Sequence, residues 1–379
     1  MLAREALHAS SRVLRATSAF TTRQLRLSPG SPLTPAPPCA RTLLRRHHST
    51  PAAASGADAA TTPSSSPALL HDSSAAAAAI VARFSGRTCL IQGASRGLGL
   101  EFVRQLLELP DTTVVATCRS PATAAQLHEL LHEQEEEEGQ QQQQQQRRYL
   151  SPMAGRENAP AADATATTTT TNGGRKRLHV IRLDLCEEES IRRASEQVSE
   201  LVPSLDLLVN CSAVLHGPDG MAPETSYSRI RGDHMTLSFA TNAIGPLLVC
   251  RSFLPLLLRS PGATEQQPAL IANMSARVGS LGDNRLGGWY SYRASKAALN
   301  QMSLTLSLEL RRKREPAAVV MLHPGTCDTD LSKPYHRNVP PGKLFDRPRA
   351  VRQLLGILAG VRAEDSGRFI AWDGQDVPW

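Results

Sequence analysis

The stretch RTCLIQGASRGLGLEFVRQLLEL runs from Arg87 to Leu109. Cys89, Leu90 and Ile91 form a short apolar run of the kind that becomes a buried strand. Leu98 to Leu109 carries apolar residues at helical spacing. Between them lie Gly93, Gly97 and Gly99, in the pattern G-x-x-x-G-x-G rather than the commoner G-x-G-x-x-G. Glycines at a strand-to-helix junction let the backbone turn sharply and let a pyrophosphate approach the helix N-terminus. Gly93, Ser95, Arg96, Gly97, Leu98 and Gly99 are therefore candidate cofactor contacts.

The same alternation continues after this unit. TTVVATCR, RLHVIRLDL, LDLLVNCSA, PALIANMSA, AAVVMLHPG and GRFIAW read as six further strands. Helical patterns fall at Glu187–Val202, Thr236–Leu258, Ser291–Arg312 and Ala350–Val361, with Pro246 and Pro255 as bends in the second. Strands alternating with helices predict a parallel sheet covered on both faces, and right-handed crossovers make it doubly wound. The expected fold is α/β, with seven parallel strands in a single domain over residues 86–379.

Two biased segments lie outside that pattern. Residues 1–75 are rich in Arg, Ser, Ala and Leu, and carry eight arginines against three acids. Most of the net charge of +7 resides there. Such a segment reads as an organelle presequence, mitochondrial first and plastid second, or as an unaddressed disordered tail that leaves the protein cytoplasmic. Residues 134–175 contain EEEEGQQQQQQQRR and TATTTTTNGG, tracts too polar to offset chain entropy, and read as a disordered surface insertion.

The composition excludes several function classes. Aromatics make up only 4% and no basic stripe is interleaved with them, which argues against nucleic-acid binding. No run of 18 apolar residues occurs, so no integral membrane segment is expected. The seven cysteines form no CxxC pair, which predicts a reducing compartment without structural disulfides. His216 and His323 have no companions at ligand spacing, so no metal site is expected.

Chemistry enters with YSYRASKAALN, Tyr290 to Asn300. Tyr292 and Lys296 share a helix face at i and i+4. An ammonium beside a phenol favours the phenolate and is expected to lower its pKa. The tyrosine then becomes a proton donor to a carbonyl oxygen. Ser275, after the fifth strand, is placed to hydrogen-bond the same oxygen, and Asn242 to hold a water linking Lys296 to solvent. The second strand ends at Arg119, where NAD-preferring sites carry a carboxylate. With Arg96 it suits a 2′-phosphate, so NADP(H) is expected, with NAD(H) as the alternative.

Together these motifs resemble the short-chain dehydrogenase/reductase family over about residues 86–379. The resemblance implies a Rossmann fold and a catalytic tetrad of Asn242, Ser275, Tyr292 and Lys296. It implies cofactor contacts from the glycine loop, Asp184 with Leu185, Asn210, Ala213, Pro324, Gly325 and Thr329. SYRASKAALNQ, HPGTCDTDLSKPYHRNVP and GRFIAWDGQDVPW most resemble the C-factor and sniffer-type carbonyl reductase branch. The implied activity is carbonyl reduction, or the reverse alcohol oxidation, on a small molecule. The rival reading is a nucleotide-binding regulator without turnover. By analogy, a homodimer or homotetramer is expected.

Two residues depart from the family pattern. Gln92 stands where threonine is usual and predicts a looser glycine loop; Ala213 stands where glycine is usual. The segment Ala276–Ser291 is long, and Asp283, Arg285 and Trp289 are expected at the mouth of the site.

Overall fold

Strand β1, Thr88–Gln92, is buried along almost its whole length because it is the middle of a sheet with both faces covered. The computed structural model describes residues 73–150 and 176–379. Around β1 stand β2 (Thr113–Cys118), β3 (Leu178–Arg182), β4 (Leu207–Asn210), β5 (Ala269–Met274), β6 (Ala317–His323) and β9 (Phe369–Ala371). Their order is β3-β2-β1-β4-β5-β6-β9, and every pairing is parallel. This is the expected seven-stranded doubly wound sheet. A two-stranded ribbon of β7 (Thr326–Cys327) and β8 (Leu344–Phe345) lies apart from it and has no apolar run long enough to announce it.

Successive strand side chains point to opposite faces, and each face has its own core. Cys89, Ile91, Val114 and Ala116 pack beneath α1 (Ser73–Phe84), α2 (Gly97–Leu107), α3 (Ala125–Leu150) and α8 (Arg347–Gly360). Leu90, Val115, Leu208 and Ile271 pack against α4 (Glu188–Leu201), α6 (Gly245–Leu257) and α7 (Tyr290–Lys313). A short helix α5, Gly232–Phe239, leads through a π turn, Ala240–Ile244, directly into α6.

By length and composition alone, Gly232–Leu257 is long and apolar enough to cross a membrane. In this fold it is a core helix, with Val249, Phe253 and Leu257 fully buried against the sheet.

The folded part begins before residue 86. Helix α1 reads in the sequence as a low-complexity alanine run, but Ile80 and Phe84, one turn apart, anchor it in the core. The insertion differs from expectation as well. Helix α3 runs on to Leu150, well past residue 134. Leu127 and Leu130 seat its first turns, and Glu and Gln are good helix formers. Residues 151–175, the rest of the insertion, lie outside the described residues, as do residues 1–72, which make up nearly all of the segment read as a presequence.

Candidate active site

The order of strand addition reverses between β1 and β4. From β1 the sheet grows outward through β2 to β3; the chain then returns to β4 and builds the other half. In such sheets the crevice at the strand C-termini, beside that switch, is open to a ligand. Here it holds a cleft of about 1400 Å³. The glycine loop forms one wall. Gly93 has φ of +86°, and a Cβ there would lie 2.2 Å from Ser212 Oγ. A Cβ on Gly99 would lie 2.2 Å from the Gly93 carbonyl oxygen. Any side chain at these two positions would fill the turn and part strand from helix. The loop is a cradle with bare backbone, as a pyrophosphate requires.

Gln92 does not loosen this cradle. Its Nε2 donates to Ser212 Oγ at 3.0 Å, and its Oε1 accepts from the Ser212 main-chain N–H at 3.2 Å. The longer side chain bridges β1 to the loop after β4 instead of tying the glycine loop to itself. Along the same cleft lie Ser95, Arg96, Gly97, Leu98, Arg119, Asp184, Leu185, Ala213, Pro324, Gly325 and Thr329. Arg119 is exposed at the end of β2. Arg96 pairs at 3.4 Å with Asp330 across the cleft, and both side chains are largely exposed.

Asn210 is the exception among the expected cofactor contacts. It is buried beneath the cleft and does not line it. Its Nδ2 donates to Asn273 Oδ1 at 2.8 Å and to the Pro246 carbonyl at 3.3 Å. It therefore joins β4, β5 and the start of α6. The end of a strand is a good place to meet a cofactor, but this side chain points inward to the helix layer.

The opposite wall comes from α7. Tyr292 and Lys296 both line the cleft, and Ser275 enters it from the end of β5. Lys296 is 1% exposed, and its ammonium donates to the Met274 carbonyl at 2.7 Å. Burial pushes its pKa down from 10.5 to about 8. Its Nζ is 5.8 Å from the centre of the Tyr292 ring.

The phenol itself moves the other way from expectation. Burial pushes the Tyr292 pKa up, because desolvation of a phenolate dominates. The ammonium spends its short hydrogen bond on a carbonyl rather than on the phenol.

Ser275 Oγ donates to Asn300 Oδ1 at 2.6 Å. Sequence reasoning missed Asn300, though the signal was there. The i, i+4 step from Tyr292 to Lys296 continues to Asn300 and places all three on one buried stripe of α7.

Asn242 lies in the π turn and is fully buried, away from the cleft lining. Its side chain clamps Val214, accepting from the Val214 N–H at 2.7 Å and donating to the Val214 carbonyl at 2.9 Å. It also donates to Ser295 Oγ at 3.1 Å. The π turn has a chemical cause. Pro246 has no N–H to return to the carbonyl of residue 242, while the Gly245 N–H reaches back five residues to Ala240.

The outer cleft is aromatic. Trp289 packs on Tyr335 at 4.9 Å between ring centres and edge-on to Tyr292 at 6.3 Å. His216 stacks on Tyr335 and shares a 2.9 Å hydrogen bond with its hydroxyl. Burial lowers the His216 pKa, which favours the neutral ring. Trp289 thus stands in the wall as expected, while Asp283 and Arg285 do not line the cleft. Asp283 instead pairs with Arg277 at 3.6 Å. Tyr335 had no signal of its own, since it lies in a 3₁₀ helix, Lys333–Asn338, too short to show a periodicity.

Comparison with known proteins agrees with this geometry. The short chain dehydrogenase family model matches residues 149–340. C-signal of Myxococcus xanthus is 39% identical over 145 residues, covering 38% of this chain and 78% of that protein. The 1-hydroxy-2-glutathionyl-2-methyl-3-butene dehydrogenase of Rhodococcus sp. is 30% identical over 200 residues, covering 52% and 78%. The structure of NADPH-bound carbonyl reductase from chicken fatty liver superposes with a TM-score of 0.60 and 27% identity, covering 77% of this chain and 99% of that one. With a glycine cradle at a topological switch, facing a helix that presents Tyr292 and Lys296, the chain belongs to the short chain dehydrogenase family and is an NAD(P)-dependent oxidoreductase.

Proposed function

We propose that the protein reduces an aldehyde or ketone with NADPH, or oxidises the matching alcohol with NADP⁺, using Tyr292 as the proton donor and acceptor. The observation that supports this best is convergence. Tyr292, Lys296 and Ser275 line the same cleft as the glycine loop, and all three are held by buried contacts. The cradle suits a dinucleotide because Gly93 and Gly99, where a Cβ would collide with Ser212 or the Gly93 carbonyl, keep the turn tight and line the cleft with bare backbone. When bound, the nicotinamide supplies or accepts the hydride.

The chain's own residues do the rest. Tyr292 passes its hydroxyl proton to the carbonyl oxygen as that oxygen gains charge. A phenol whose pKa burial has raised is neutral at pH 7 and so carries the proton to be given. Lys296 presents a desolvated positive charge to the developing phenolate, where low local dielectric strengthens it. Ser275 gives its one proton to Asn300 in the structure, so it polarises the carbonyl by rotating that proton from Asn300 Oδ1 to the substrate oxygen. Asn242 braces the Val214 loop and the Ser295 turn of α7, and so acts on the relay through position. Arg119, at the end of β2 and without an ion-pair partner among the described residues, is the guanidinium best placed for a 2′-phosphate. The NADPH-bound relative supports that preference over NADH.

Tyr292→Phe tests this assignment. Turnover is expected to fall by about 10³-fold or more, with NADPH binding by fluorescence titration unchanged within about twofold. Parallel loss of binding and turnover would overturn the assigned role.

A further inference from the structure

Helix α7 carries the proposed proton donor in its first turn, yet it begins without a cap of its own. Its N-cap is Trp289, in the left-handed region at φ +54° and ψ +38°, with no side-chain acceptor. Gly287 and Gly288 before it also have positive φ. A bulky residue held left-handed is strained, and the free N–H groups of a first turn need acceptors.

The acceptors come from one residue, Glu224, in the loop after β4 and 67 residues before Ser291 in sequence. The Glu224 carbonyl accepts from the Trp289 N–H at 2.6 Å. The Glu224 carboxylate accepts from the Ser291 N–H, at 3.3 Å to Oε1 and 3.2 Å to Oε2, and also from the Ser291 hydroxyl. Glu224 is 3% exposed, although a carboxylate is rarely so deep without a partner cation. Its compensation is the positive end of α7.

The next residue after Ser291 is Tyr292. A small chamber beside it is bounded by Glu224, Ser291, Tyr292, His234 and Ser238. His234 Nε2 and Ser238 Oγ are buried there without hydrogen-bond partners among the described residues. Helix α5 is thus brought against the same cap.

We propose that Glu224 is a positioning residue for Tyr292. Its carboxylate and main-chain carbonyl together fix the first turn of α7, and so the direction of the phenol. This rests on Tyr292 being the proton donor, but the cap itself does not depend on turnover.

The test uses the full chain with Glu224→Ala and Glu224→Gln. Two readouts are taken: steady-state kinetics with NADPH and a carbonyl that the wild type reduces, and amide hydrogen exchange along α7. In Glu224→Ala, kcat is expected to fall about 10- to 100-fold, as a displaced reacting group predicts, with the NADPH dissociation constant within about twofold. Exchange at residues 289–293 is expected to rise about 10-fold or more, while residues 299–310 are unchanged. Glu224→Gln keeps an acceptor for the Ser291 N–H and is expected to retain kcat within about fivefold.

Unchanged exchange at 289–293 in Glu224→Ala overturns the cap. Unchanged kcat, or an equal fall in both variants, overturns the positioning role. If Glu224→Ala does not fold, Glu224→Asp replaces it. The carboxylate then stops one methylene short, and a kcat equal to wild type refutes the proposal. If the wild type reduces no carbonyl at all, the oxidoreductase assignment for this substrate class fails, and hydrogen exchange still decides the cap.

Discussion

Lys296 is a buried ammonium whose one short contact is a carbonyl oxygen, and it should weaken the fold it sits in. Its folded pKa of about 8, against 10.5 for the exposed group, corresponds to about 3 kcal/mol of disfavour for the charged form. Below pH 8 both folded and unfolded chains hold the proton, so this cost is present in full. Between pH 8 and 10.5 the unfolded chain binds more protons than the folded one, and stability rises with pH. Lys296→Met keeps the length of the side chain and removes the charge. It also leaves the Met274 carbonyl without its donor, a loss of about 1 kcal/mol. The variant should therefore be more stable than wild type by about 2 kcal/mol at pH 7, with the gain shrinking to near zero by pH 10.

Urea unfolding at both pH values, followed by circular dichroism, reads this directly, because subtracting the variant from the wild type cancels every other titrating group. The same variant should lose turnover. A variant less stable than wild type at pH 7, or a difference that does not change with pH, would refute the reasoning. It would mean that water or an unseen acceptor solvates the ammonium, and that its charge is weaker in the cleft than argued here.

Two further outcomes follow from the cleft. Arg119→Glu should weaken NADPH about 10- to 100-fold and leave NADH within about threefold, because a charge-assisted pair to a 2′-phosphate is lost and only NADPH has that group. Competitive fluorescence titration measures both, and equal weakening would place Arg119 elsewhere. Removing residues 151–173 should leave kcat within about twofold, since the described chain resumes just before the N-terminal end of β3 while the cleft opens at the strand C-termini. A larger loss in a folded variant would show that the segment reaches the site.

Most of the sheet was legible in the sequence because its inner parallel strands, β1, β2, β4, β5 and β6, are buried on both faces and so read as apolar runs. The glycine loop was legible for a related reason: Gly93 and Gly99 are positions where any side chain collides with backbone or a neighbouring hydroxyl. What escaped was carried by contacts rather than pattern. Helix α1 is a run of alanines, and only two of its residues reveal a core face. The direction of the Tyr292 pKa was misjudged because spacing shows that a lysine is near but not that both groups are desolvated. Asn210 lies where a cofactor contact was expected, but the orientation of one amide toward α6 cannot be read from spacing. Glu224 could not have been found at all. Its partners are distant in sequence, and a single acid in a loop looks like a solvated one.

The central claim is that this cleft holds NADPH and passes its hydride to a carbonyl. The most direct measurement is a titration of the protein with NADPH and NADH, followed by a panel of aldehydes, ketones and quinones monitored by loss of the reduced-nicotinamide absorbance. The account predicts saturable binding that is tighter for NADPH, and turnover of at least one carbonyl. Binding without turnover across the panel would move the protein to a nucleotide-sensing role, and no binding of either nucleotide would contradict the account at its root.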